Sequence, residues 1–300
     1  MKKIFAAYLI LSFSVSFSQN KSFQLCDSAF KLMDDGKYEE GLSVWKNTNK
    51  NFEVDPRNKQ YFLIYALDKN DSVNFRQTFS ELILNNGVQL DDFKGWTMYS
   101  KLVSDTSFVK WYNLEYSKNY PLFLSKNADV LWLIQMVKDF KYIDQQLYIG
   151  QINSFKRENK NDSLLGVKLD KLAERMAMDV FLKLISVCKK INYLPNSFDH
   201  KHPDVTSNVN LILLHNTKIS YKLEEKWALI WPYLEKACFD GKYRPMDLLW
   251  HYDNSMYWNY GYQYYGTLLP QNVGHDGKIP IKDEATVNQR RAKYGLPPIK

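Results

Sequence analysis

The stretch Phe23-Gln24-Leu25-Cys26-Asp27-Ser28-Ala29-Phe30-Lys31-Leu32-Met33-Asp34-Asp35-Gly36-Lys37-Tyr38-Glu39-Glu40-Gly41-Leu42-Ser43-Val44-Trp45 decides the fold of this chain. Phe23, Leu25, Ala29, Leu32 and Met33 recur at helical spacing. Asp34-Asp35-Gly36 breaks that helix, because glycine and short acidic side chains favour a turn. Tyr38 to Thr48 restarts it, with Leu42, Val44 and Trp45 turned inward. Two short amphipathic helices joined by a tight turn make a helical hairpin. The reading from here outward is of a mainly α protein.

Downstream, helices are expected at about Gln60–Leu67, Asp71–Asn85 and Asp92–Val103. Asp71 suits an N-cap, since its carboxylate can accept a free backbone N–H. Asn85-Asn86-Gly87 suits a stop. Ser117 to Ser125, with Pro121, reads as a linker. Longer helices are expected over Ala128–Ile149 and Leu164–Ile191, then Val209–Asn216, Leu223–Phe239 and Pro245–Tyr252, with Pro232 kinking or splitting the fourth of these. From Tyr257 onward glycine, proline and aromatic residues dominate. A short edge strand over Tyr262–Leu269 and a last helix near Glu284–Tyr294 complete the reading.

The N-terminus has Lys2 and Lys3, an apolar run from Ile4 to Phe17, and Ser16-Phe17-Ser18. This is the order of a secretory signal, and the run is too short to span a bilayer. Cleavage is expected after Ser18. The organisation expected is thus a signal peptide at 1–18, a helical-hairpin, repeat-like array at 19–120, and an α-helical domain at 121–300 ending in an irregular aromatic-rich segment. The mature chain is expected to be exported, to the periplasm or beyond, with no membrane span.

The formal charge is +7, or +5 without the two N-terminal lysines, but the bases lie beside acids, as in Lys37-Tyr38-Glu39-Glu40. Such interspersed charge describes a solvated surface and argues against nucleic acid as a partner. Cys26, Cys188 and Cys238 are odd in number, so they cannot all pair internally. They read as buried thiols, with a Cys188–Cys238 bridge left open.

Two resemblances add to this. Ala29, Leu32, Gly36-Lys37-Tyr38-Glu39-Glu40-Gly41, Trp45 and Pro56 together resemble one tetratricopeptide repeat, in which small residues let two helices cross closely. The C-terminal half resembles the bacterial domain of unknown function 6624. That likeness rests on Gln263-Tyr264-Tyr265-Gly266-Thr267, Pro280-Ile281-Lys282-Asp283 and Arg290-Arg291-Ala292-Lys293-Tyr294-Gly295-Leu296. Asp144-Gln145, Leu213-Leu214-His215 and Asp253 look like the family's upstream elements. Tyr148, Asn254 and Leu268 depart from it, standing where arginine, arginine and glutamine are usual. The family implies a helical domain and no reaction.

The candidate pocket that this resemblance assembles comprises Asp144, Gln145, His215, Asp253, Gln263, Tyr265 and Thr267. A histidine near a carboxylate can tune a base or orient a ligand. No serine or cysteine sits in a nucleophile setting, so the catalytic residues are unknown. His200-Lys201-His202-Pro203-Asp204, with Asp199, offers imidazoles and carboxylates, yet reads best as a polar turn after Pro195, and neither metal nor cofactor is expected. Tyr252, Tyr257, Trp258, Tyr260, Tyr262, Tyr264 and Tyr265 either present flat faces to sugars or peptides or pin the tail to the helices. Arg290-Arg291 reads as a solvated or locally paired helix face. Two functions stay open: a binding module for a small ligand, glycan or protein, and a hydrolase using His215 with Asp144 or Asp253.

Overall fold

The structure, a computed structural model, describes residues 21–217, 219, 222–274 and 277–299, apart from the side chains of 144, 146–149 and 272. The expected signal segment, 1–18, lies outside the described residues. The chain is mainly α, and it forms two units. One takes the chain to Gln135 together with Asn196–Ser207; the other takes Met136–Pro195 and Asn208 onward.

The first unit is built on the quoted hairpin. Helix α1 covers 21–34 and α2 covers Tyr38–Asn51. A Cβ on Gly41 would lie 2.6 Å from Met33 Cγ and 2.7 Å from the carbonyl oxygen of Ala29, so only glycine allows this crossing. Trp45 fills the space beyond, stacked 4.7 Å from Phe62. Phe62 belongs to α3 (Pro56–Asp68), whose N-cap Asp55 accepts from the Arg57 N–H ahead of a proline at the first turn. Asp71 caps α4 (Ser72–Asn86) through the Asn74 N–H, and Gly87 ends it in the left-handed region at φ 60°. Phe123 packs so close that a Cβ on Gly87 would sit 2.2 Å from its ring.

A short 3-10 turn (Leu90–Phe93) and α5 (Thr97–Ser104) lead into α6 (Thr106–Lys126). The expected linker at Ser117–Ser125 is therefore helical. Pro121 removes one backbone bond, but both it and Ser117, whose carbonyl is freed, are exposed to solvent. On the opposite side Tyr112, Tyr116, Tyr120 and Phe123 form a ladder at four-, four- and three-residue spacing; Tyr116 and Tyr120 stack at 4.6 Å. The ladder holds the helix where proline alone argued for a break. The expected domain edge at 120–121 thus falls inside α6, and the chain divides after Gln135 instead.

The second unit contains the long α9 (Ser163–Ile191), α11 (Leu223–Phe239) and α12 (Pro245–Tyr260). Its core gathers Phe181, Leu184, Ile212, Ile230, Leu234, Leu248 and Leu249. Pro232 is exposed and α11 runs through it, anchored by fully buried Ile230 and Leu234 on either side. The expected helix over 128–149 is α7 (Leu131–Tyr142), followed by a π-helical stretch, Ile143–Ile152, which holds Asp144 and Gln145, and by the short α8 (Asn153–Glu158). Cys26, Cys188 and Cys238 are free and buried. Among the described residues no strand forms; Tyr262–Leu269 contributes one parallel bridge, Gln263 with Ile281.

Candidate functional site

The second unit carries an open cleft of about 560 Å³. Helix α11 supplies Glu224, Trp227, Ala228, Trp231 and Pro232, spaced so that they fall on one helical face. Helix α12 supplies Tyr252, Met256 and Tyr260, each four residues apart. The chain after Gly261 supplies Tyr262, Tyr264, Tyr265 and Tyr294, with the cations Lys282, Arg290 and Lys293. Ring centroids lie 5.1 Å apart for Trp231 and Tyr252, 5.2 Å for Trp227 and Tyr252, and 5.1 Å for Tyr264 and Tyr265. Edge-to-face packing of this kind fixes ring orientation as well as burying area. Of the aromatics expected either to face a ligand or to pin the tail, Tyr252, Tyr260, Tyr262, Tyr264 and Tyr265 line this cleft.

What holds the irregular wall in place is a set of polar locks. Asp253, fully buried on α12, accepts at Oδ1 from the N–H groups of Tyr264 (2.6 Å) and Tyr265 (2.8 Å). Its Oδ2 accepts from the N–H (2.9 Å) and hydroxyl (2.7 Å) of Thr267. Burial pushes the Asp253 carboxyl above the ordinary value, and these four donors pull it partway back. Gln263 accepts the Leu268 N–H at Oε1 (2.9 Å), and its backbone pairs with Pro280 and Lys282.

Arg290 and Arg291 complete the wall. Arg290 lies over the Tyr264 ring, 4.1 Å from its centroid, and donates to the carbonyls of Tyr264, Lys282 and Asp283. Arg291, only 4% exposed, donates to the carbonyls of Pro297, Tyr265 and Gly266. The arginine pair expected as a solvated or locally paired helix face is instead a clamp on backbone oxygens, with Arg291 buried and Arg290 half-buried, because the irregular tail leaves carbonyls that need donors.

Of the seven candidate residues, the structure brings Asp253, Gln263, Tyr265 and Thr267 together. His215 is half-buried in the last turn of α10 (Pro203–Asn216) and takes no part in the Asp253 bonds. Gln145 lies on the π-helical stretch; the Asp144 side chain lies outside the described residues. Asn254 donates to Thr217 Oγ1 and accepts from the Trp258 indole. Leu268 is buried. Trp227, Trp231, Lys282 and Tyr294 were not among the expected pocket residues. Their signal was there in the four-residue spacing of Trp227 with Trp231, matched by Tyr252, Met256 and Tyr260.

In the first unit the expected polar turn is a buried one. His200 and His202 are each 1% exposed, and Ser197 donates to the N-cap Asp55. Asp92, His202 and Asp204 bring ligand-type atoms within 4.8 Å of one another. His202 Nδ1 accepts from the Asp204 N–H at the start of α10, and Nε2 faces Asp92 Oδ2 at 3.6 Å. His202 thereby caps the first turn of α10.

Compared with protein-family models, curated proteins and solved structures, the chain matches none.

Proposed function

We propose that the chain is an exported binding module whose second unit takes a saccharide in the aromatic cleft. The observation that carries this is the cleft wall: tyrosine and tryptophan rings with few aliphatic neighbours, fixed by Asp253, Arg290 and Arg291. Aromatic faces stack on the C–H faces of sugar rings, and tyrosine hydroxyls meet sugar hydroxyls. A pre-formed wall saves the ordering cost that a mobile one incurs on binding.

Export is supported by Lys2-Lys3 and the short apolar run that follows. Among the described residues no helix is long and apolar enough to cross a membrane. The hydrolase reading loses support because both Asp253 oxygens are occupied by backbone and hydroxyl donors, leaving no free base there.

The test is calorimetric titration of the mature chain with a panel of neutral and acidic oligosaccharides, repeated on Trp231→Ala. Binding by at least one saccharide, lost in Trp231→Ala with the fold intact, is expected. A panel that gives no heat in the wild-type protein overturns the proposal.

A further inference from the structure

The charges around the cleft are not balanced. Lys293 pairs with Glu235 at 2.6 Å. Lys282 has no such partner: its ammonium lies 5.2 Å from the Tyr262 ring centroid and 3.4 Å from the Tyr262 hydroxyl, with no carboxylate in ion-pair range among the described residues. Arg290 likewise has no carboxylate partner among the described residues: it donates to carbonyls and the Thr286 hydroxyl and lies over the Tyr264 ring. The one acid on the lining is Glu224, in the first turn of α11. With Lys293 paired, Lys282 and Arg290 face one nearby acid on the tail, the exposed Asp283, so among the described residues this side of the cleft carries an excess of positive charge.

The two cations differ in what they offer. The donors of Arg290 are committed to the wall, so it contributes potential without a free hydrogen bond. Lys282 is exposed, and with one N–H directed to the Tyr262 hydroxyl it keeps two N–H groups available. A phosphate would call for several converging donors, such as a backbone nest or a helix N-terminus. Here the α11 N-terminus already holds Glu224 and Glu225. One free ammonium in an aromatic cleft matches a singly charged carboxylate on a sugar ring.

We infer that the cleft selects acidic saccharides, with the carboxylate of a uronic-acid-type residue received by Lys282 beside Tyr262. This deepens the saccharide reading and rests on it. Lys282 is a specificity determinant; the rings supply the affinity common to charged and neutral sugars.

The experiment compares trigalacturonate with its fully methyl-esterified form, which keeps the rings and removes the charge. The acid is expected to bind about tenfold more tightly at low salt, with the advantage shrinking as sodium chloride is added. Lys282→Gln should abolish that preference, leave the ester's affinity unchanged and leave the melting temperature unchanged, while Lys282→Arg keeps the preference. Equal affinity for acid and ester, or a preference that survives Lys282→Gln, overturns the charge inference and leaves the aromatic cleft standing. Binding of other trisaccharides but not trigalacturonate does the same. No binding of any saccharide overturns both readings.

Discussion

Asp253 Oδ2 accepts both the backbone N–H and the side-chain hydroxyl of Thr267, at 2.9 and 2.7 Å, and so joins α12 to the loop that forms the cleft wall. The same carboxylate takes the N–H groups of Tyr264 and Tyr265 at its other oxygen. A loop without strand partners has nowhere else to place these donors away from water. The side chain is thus a positioning group: it orders the segment whose rings line the cleft.

Asp253→Asn should therefore cost more than an exposed Asp→Asn change. The amide can accept at one oxygen only, and its NH2 would face the Thr267 donors. Leaving buried donors unpaired predicts a loss of about 2–4 kcal/mol in thermal or denaturant unfolding. An unchanged midpoint would remove Asp253 from this role.

The hairpin that opens the fold was legible because its signals are local. The Gly41 crossing, the Asp71 cap and the Gly87 stop each act within a few turns of their own position. The cleft was half legible. Asp253, Gln263, Tyr265 and Thr267 do come together, and the tyrosine cluster does form a face. The misreadings share one cause: each depends on what packs from far along the chain. Pro121 stays helical because of a tyrosine ladder, Arg291 is buried because Tyr265 and Pro297 need donors, and His202 is buried because residues 196–207 join the first unit. A one-dimensional pattern carries none of those partners.

Two glycines should respond in opposite directions to alanine. In Gly41→Ala the new methyl meets the Ala29 carbonyl at 2.7 Å, a backbone atom that cannot swing away, so about 1–3 kcal/mol of stability should be lost. Gly166 lies in α9 with nothing within 4 Å of a built Cβ, so Gly166→Ala should gain about 0.5–1 kcal/mol from helix propensity. Urea unfolding of both variants checks the pair; a neutral Gly41→Ala would mean the helices can part at that crossing.

His251 should give the protein an acid-sensitive step. Burial pulls its imidazole down to about 4, against an ordinary value of 6.5, with Asp247 offsetting part of the effect. The unfolded chain then binds the proton more readily than the folded one, so stability falls as pH drops from 6.5 towards 4. The contribution lost across that window is about 3 kcal/mol. In His251→Phe the stability-against-pH curve should be flatter between pH 6.5 and 4. A variant whose curve runs parallel to the wild type over that range would show that His251 is not the group responsible.

Arg291→Lys separates clamping from charge. The guanidinium reaches Pro297 O at 2.7 Å through Nε and Tyr265 O at 2.8 Å through Nη1, two directions that a single ammonium cannot serve at once. Lysine keeps the positive charge, so an electrostatic role would survive the change. A clamping role would not: the chain beyond Ala292 should loosen from the wall, and Tyr265, with Trp231 stacked 6.3 Å away, should lose its fixed orientation. Limited proteolysis is expected to remove the last few residues of Arg291→Lys faster than those of the wild type. Saccharide affinity should fall about tenfold or more, because the wall would have to be ordered on binding. A variant with wild-type proteolysis and wild-type affinity would show that the tail is held without the fork, and that Asp253 and Arg290 alone define the wall.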